Sequence, residues 1–552
     1  MEEKKIVRRD KKDITDNREK QKKILLGIGI ALFAVLYVFL LTIDTDKGDA
    51  VEEGTQSQEI SQGEAPAAEE QPDKNALEAK PVDGGTINLS VSRFSSVNPL
   101  ENREKSLDSI LRLVYDSLFE YDSNYNLQNE LASGYSYSED ASELSINLNP
   151  EAKWHDGSRV TGFDVEYTIN AIKKIPQSPY GTLVANIESV SPRSGGVTLK
   201  LKNPNSLEIY NMIFPVVSSK SENNTSTVFN DGKFGVIGNG MYKVIEYKQG
   251  KKFVLQRSSG YYGPKPYIEK IEVSIFDSKE IRQNMFIASN IDMIDSDYYQ
   301  LSKYQYDIFK IKSYESRKFE MIIFNSARAP FDQKANRIEI AKLLDLEKIS
   351  QDAYRDTLNL NIMPVNTKSE LNLATGNIYA VKKDEAAKES SLRLKEKIVI
   401  LTDKDDPMKH RLAYIIKNKM ETSGISPEVE VRAVAKSELA GIVSAKNFNI
   451  LVAEYNVPVD KNVTRLMNTY SAVFGYDPKD INALMTEVKA TTSKEALKSK
   501  YQKIQEEIIK NLPYIGVGYK NDYVVINNRL SGELEPTDYE IYNGIEKIYI
   551  SH

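Results

Sequence analysis

His155 and Asp156 stand side by side, a pairing from which general acid-base chemistry could be built if a nucleophile or an orienting third group stood nearby. None accompanies them. Histidine occurs only at 155, 410 and 552, and cysteine is absent, so neither a zinc site nor a thiolate nucleophile can be assembled. Glycines at 235, 238 and 240 are spaced G-x-x-G-x-G, but strand-like residues follow where a nucleotide-binding helix should open. No G-x-x-x-x-G-K-[ST] occurs, so a transport role would need a separate ATPase. Adjacent acids such as Asp405-Asp406 read as solvated charge. No catalytic residue, metal or cofactor is expected from this inventory. The 32 tyrosines point instead to binding, because each offers stacking area with a polar tip.

The His-Asp pair sits inside an ordered local pattern from Leu144 to Ile172. Leu144, Ile146 and Leu148 alternate with polar residues, as on a half-buried strand. Asn149-Pro150 stops the strand, and Trp154-His155-Asp156-Gly157 has turn chemistry. Thr161 lies three residues before Asp164, a capping-box spacing, and Val165, Ile169 and Ile172 then recur at helical intervals. Trp154, the only tryptophan, is expected to pack.

Ahead of the body, residues 24–43 read ILLGIGIALFAVLYVFLLTI, twenty residues without a charge. At about 1.5 Å per residue a helix there spans roughly 30 Å, a bilayer core. Residues 1–23 carry ten Lys/Arg against six acids, whereas residues 44–83 carry twelve acids against three lysines. That asymmetry predicts a single-pass cell-membrane protein with a cytoplasmic N-terminus (1–23), a transmembrane helix (24–43) and an extracytoplasmic body. Residues 44–83 hold almost no large apolar side chains and are expected to form a disordered acidic linker with a reach of roughly 35 Å. The remaining body is close to neutral, so no nucleic-acid partner is implied.

The motif WHDG followed by T-x-x-D-V resembles the hallmark of the family 5 extracellular solute-binding proteins, the peptide- and nickel-type receptors of ABC importers. Further stretches are similar to that family: LVYDSLFEYDSNYNLQNELASGY, GNGMYKVIEY with Tyr261, Tyr262 and Pro266, FNSARAPFDQKANRIEIAKLLD, and LPYIGVGYKNDYVVINNRLSG. The likeness runs from about residue 84 to 535.

It implies an α/β two-lobed periplasmic-binding-protein-like clamp with an extra inserted subdomain. Lobe I would be 84–325 with 515–552, the insert lying near 119–232, and lobe II would be 326–514. The crossings after Asn325 and before Ile515 would act as hinge strands. Trp154, His155, Asp156, Gly157 and Asp164 would be structural motif residues.

The family's peptide receptors carry an Asp that takes the ligand's ammonium and a Trp lining the pocket. The matching stretch here reads NFNILVAEYNVPVDKNV. One alignment puts Tyr455 on the Trp and Pro458 on the Asp; another puts Glu454 on the Asp. The resemblance thus implies candidate ligand contacts at Glu454, Tyr455 and Asn456, with Asn98 and Asn325 added from other matching segments. Expected partners are an oligopeptide or other small solute, the membrane, and ABC permease subunits with their own ATPase. The same clamp used as a sensor, and an extracytoplasmic enzyme, are the alternative classes.

Overall fold

The computed structural model describes residues 81–220, 237–304, 308–372 and 392–551. The expected cytoplasmic tail, transmembrane helix, nearly all of the acidic linker, and His552 lie outside these residues. Among the described residues no helix is long and apolar enough to cross a membrane.

Three larger sheets carry the fold. The first has four strands: Thr86–Ser92 runs parallel to Lys270–Phe276, which pairs antiparallel with Lys252–Arg257, and that strand pairs with Tyr242–Lys248. Its first strand behaves as alternation requires, with Ile87, Leu89 and Val91 fully buried.

The second, also four-stranded, is antiparallel and holds Ala132–Tyr137, Glu143–Leu148, Gly196–Leu201 and Ile187–Arg193. The helix Gly162–Lys174 packs on it through Val165, Ile169 and Ile172. The capping box forms as spaced: Thr161 N–H donates to Asp164 Oδ2 at 2.8 Å. Glycine is required at the helix start, because a Cβ on Gly162 would lie 1.9 Å from the Gly196 carbonyl.

The spacing of Ile110, Leu113, Val114, Leu118 and Phe119 predicts one apolar helical face, and the structure cuts it short. The helix there ends at Leu111, and Phe119–Tyr121 instead pairs with Leu127–Asn129 as a hairpin. Tertiary hydrogen bonds outcompete the helix: Asn239 and Gly240 N–H donate to the Val114 carbonyl, and Tyr242 N–H to that of Leu113.

The third sheet has seven strands and mixes directions. Ile398–Asp403 is parallel to Val429–Val434 and to Ile450–Asn456, with Pro407–Thr422 and Lys436–Ser444 as the crossover helices. Two long strands complete it, Phe309–Phe324 of 16 residues and Tyr514–Asn527 of 14. They pair antiparallel from Phe309 opposite Asn527 to Ile323 opposite Tyr514. Met293–Ser296 flanks one end of this ribbon and Ile450–Asn456 the other. The ribbon's pairing breaks register between Glu315 and Phe319 and again between Glu320 and Met321. These breaks lie inside the strands, a few residues short of Asn325. Bulges of this kind locally bend and twist a strand pair.

Candidate functional site

The WHDG turn is a splice. His155 N–H donates to the Gly238 carbonyl at 2.8 Å, and His155 Nε2 lies 2.9 Å from the Gly240 carbonyl oxygen. Burial lowers the His155 pKa, which favours the neutral ring at that contact. Asp156 Oδ1 accepts from Ser158 N–H and Oγ, while Gly157 supplies the positive φ of 85°. Trp154 is buried. Gly238 and Gly240 serve close approach rather than phosphate binding, since a Cβ on Gly238 would sit 2.1 Å from the Val114 carbonyl. Gly235 lies outside the described residues.

Asn98 caps its own turn, its Oδ1 accepting from Leu100 N–H at 3.0 Å. Asn325 is fully buried. Its Nδ2 donates to the Lys446 and Phe448 carbonyls and its Oδ1 accepts from Ala327 N–H. With both amide ends engaged it ties a strand end to the 446–448 segment.

Glu454 enters a buried charge cluster. It lies opposite Glu320 on the neighbouring strand. Lys520 Nζ stands 2.5 Å from Glu454 Oε2 and 2.9 Å from Glu320 Oε1. Lys409 Nζ lies 3.6 Å from Glu454 and 3.8 Å from Glu320. Asp406 joins at 3.1 Å from Lys409 and 3.2 Å from Lys520, and also accepts from Met408 and Lys409 N–H as the helix cap. Asp406 is therefore not the solvated charge expected from its sequence neighbour. Tyr354 Oη donates to Glu320 and Tyr299 Oη to Asp406, each at 3.2 Å.

Burial opposes ionisation of Glu454, but the ammoniums of Lys409, Lys520 and Lys318 outweigh it and hold its carboxyl well below the usual range. Burial pushes Glu320 the other way, up to about 7; Lys520 and Lys409 counter it while Glu454 adds to it. Of the two acids, Glu320 is thus the one whose burial, on balance, favours the protonated form. The carboxylates of Glu320, Asp406 and Glu454 come within 4.8 Å of one another, a spacing that could suit a cation. Lys409 and Lys520 already supply that positive charge. A ligand ammonium would have to displace Lys520 from Glu454, so the expected free anchor is in fact an occupied one.

Successive strand residues face opposite ways, and Tyr455 is buried on the other side of the sheet. Asn456 is half-buried at the strand end, opposite Lys318.

That other side holds a constellation that sequence reasoning did not single out. Tyr121 and Tyr125, from the 119–129 hairpin, meet Tyr539; the Tyr121 and Tyr539 rings stack at 4.9 Å. The Arg317 guanidinium lies 5.1 Å over Tyr539, with its Nε 2.6 Å from Asp538. Lys461 Nζ lies 4.9 Å from the Tyr121 ring centre and 5.9 Å from that of Tyr125. Hydrogen bonds close the junction: Tyr121 Oη to the Val459 carbonyl at 3.3 Å, and Tyr125 Oη to the Glu315 carbonyl. The richness in tyrosine was the visible signal; the identity of these three was not.

The fold thus sets a hairpin unit against a mixed α/β sheet that contains two long bulged strands. The model described as bacterial extracellular solute-binding proteins, family 5 Middle, matches residues 126–476. The chain belongs to the family 5 bacterial extracellular solute-binding proteins. Like the rest of that family, it is a binding protein and not an enzyme. The oligopeptide-binding protein AppA of Bacillus subtilis is 20% identical over 511 residues, covering 86% of this chain and 93% of the relative. Among solved structures, the substrate-binding protein CtaP of Listeria monocytogenes superposes with a TM-score of 0.67 at 20% identity, over 85% of this chain and 100% of that one. NikA of Brucella suis, solved with Fe(III)-EDTA, gives 0.64 at 20% identity over 85% and 100%. The family 5 fold of this chain is thus the two-lobed α/β fold of those substrate-binding proteins.

Proposed function

We propose that this family 5 protein is a membrane-anchored extracytoplasmic receptor that captures a small solute, an oligopeptide before others, and delivers it to the permease of an ABC importer. The observation carrying this reading is the junction of the 119–129 hairpin with residues 459–461 and 538–539, beside the register breaks at 315–321. Tyrosine rings from one side meet charged side chains from the other, and the bulged ribbon is the segment about which the lobes would swing. The Bacillus subtilis relative's name supports peptide as ligand, while the Fe(III)-EDTA complex of the Brucella suis protein keeps other solutes open. The domain limits expected from sequence, with lobe II at 326–514, fit this reading if the hinge is moved a few residues into the strands.

Small-angle scattering on the intact protein tests it. Bound solute should shrink the radius of gyration of the body and raise its melting temperature, because the ligand favours the closed state that it bridges. Binding without compaction would sink the clamp reading.

A further inference from the structure

Burying an ammonium is costly unless a carboxylate meets it. Lys461 is only 2% exposed, yet it makes no ion pair among the described residues. Its Nζ donates to Asn366 Oδ1 at 3.3 Å and otherwise faces the rings of Tyr121 and Tyr125. The acids around it are engaged elsewhere. Asp460 pairs with Arg465 at 3.3 Å and accepts from Asn462 N–H. Glu315 takes hydrogen bonds from Asn366 Nδ2 and from Thr367 N–H and Oγ1. Asp538 is held by Arg317 and Lys105. Burial accordingly brings the Lys461 pKa down to about 8, against the pull of Glu315 and Asp460. Its backbone is left-handed, φ 54°, and Tyr501 Oη donates to its carbonyl, so the side chain is presented from a defined turn.

Glu454 is the mirror case. It is the carboxylate that could have received a ligand's ammonium, and Lys520 and Lys409 cover it. An acid with two ion-pair partners thus lies on one face of the sheet, and a cation with none among the described residues lies at the tyrosine junction on the other.

We infer that the junction recognises a carboxylate of the ligand through Lys461, between the rings of Tyr121 and Tyr125, rather than an ammonium through Glu454. The inference rests on the receptor reading above and names its ligand class: peptides or small organic acids gripped by an acidic end. Entry parts Tyr121 Oη from Val459 and Glu370 N–H from Asn126 Oδ1, which tie the hairpin to the lysine's side, while Tyr125 Oη holds the hairpin to Glu315 and Ser206 bonds the Val488 and Lys489 carbonyls further along. Arg317, partly exposed above Tyr539, adds a second cation to the approach.

Calorimetry on the full-length protein decides it, with tetra-alanine, its C-terminal amide, N-acetyl-tetra-alanine and glutarate as probes. Tetra-alanine and its N-acetyl form should bind within about threefold of each other, and the amide at least about tenfold more weakly. Lys461→Met should remove the acid-over-amide preference and Lys461→Arg should keep it. The wild-type comparison stands alone if the Met variant fails to fold. The inference is overturned if amidation has no effect, if acetylation carries the loss, or if none of the four probes binds. Failure of the receptor reading looks different: a ligand carried through purification that lacks any acidic group overturns only the lysine's role, whereas bound solute without compaction overturns the clamp.

Discussion

Lys520 places its ammonium 2.5 Å from the Glu454 carboxylate, and the same nitrogen lies 2.9 Å from Glu320 on the adjacent strand. Two buried acids are thereby held by one cation, with Lys409 behind it. Removing the cation leaves uncompensated buried charge. Lys520→Met should cost about 3–5 kcal/mol in urea unfolding of the intact protein. Adding Glu454→Gln to that variant should recover part of the loss, because the orphaned acid is then gone. An additive double mutant would mean the two residues are not coupled.

The same pairing revises what Glu454→Gln alone should do. As a ligand anchor, Glu454 would govern affinity for free peptide amines. As the partner of Lys520 it should govern stability, with a lowered melting temperature and less than about a threefold change in the affinity of any bound peptide. Calorimetry and a thermal melt on one preparation separate the two roles.

A second set of acids should make stability fall with pH. Burial raises Asp116 to about 7, against a hydrogen bond from Tyr262 Oη at 2.7 Å. It raises Glu120 to about 7 with help from Asp116, and Glu540 to about 8 with help from Glu120 and despite Arg112. A carboxyl whose pKa is higher folded than unfolded holds more protons in the folded state, so unfolding free energy declines as pH rises from the ordinary carboxylate range towards 8. Each extra proton held by the folded state contributes a slope of roughly 1.4 kcal/mol per pH unit. Melting temperatures should drop between pH 5 and pH 8, and Glu540→Gln should flatten the profile. A rise over that interval would contradict the raised values.

Gly238→Ala should destabilise without altering ligand affinity. Its Cβ would meet the Val114 carbonyl 2.1 Å away and the His155 ring 2.8 Å away, so the backbone splice must shift. About 1–3 kcal/mol is the usual scale for such overpacking. Denaturant titration checks the loss, and an unchanged dissociation constant for bound solute checks that the turn is structural.

The anchoring of residues 24–43 is tested by intact mass. Protein extracted from membranes should retain residues 1–50, and the lysines and arginines of 1–23 should be shielded from protease added outside the cell. A soluble form beginning near Val51 would end the anchor hypothesis.

What the sequence determined by itself was local. The alternation of Leu144, Ile146 and Leu148, the Thr161–Asp164 capping box, and the helical recurrence of Val165, Ile169 and Ile172 all depend on hydrogen bonds and burial within a few residues, and each is found in the structure. The family was legible for a similar reason, because the WHDG turn is a compact motif whose residue types are set by its own geometry. The tertiary structure decided the rest. Whether Ile110–Phe119 is one helix depended on the distant amides of Asn239, Gly240 and Tyr242, which take the Leu113 and Val114 carbonyls. Whether Glu454 awaits a ligand or is neutralised depended on Lys409 and Lys520, brought to it by a helix and by a returning strand. Which of 32 tyrosines surround a cation depended on a hairpin folding over Lys461. Charge compensation acts over a few ångströms of space, and residues hundreds of positions apart acquire such neighbours only when the chain closes on itself.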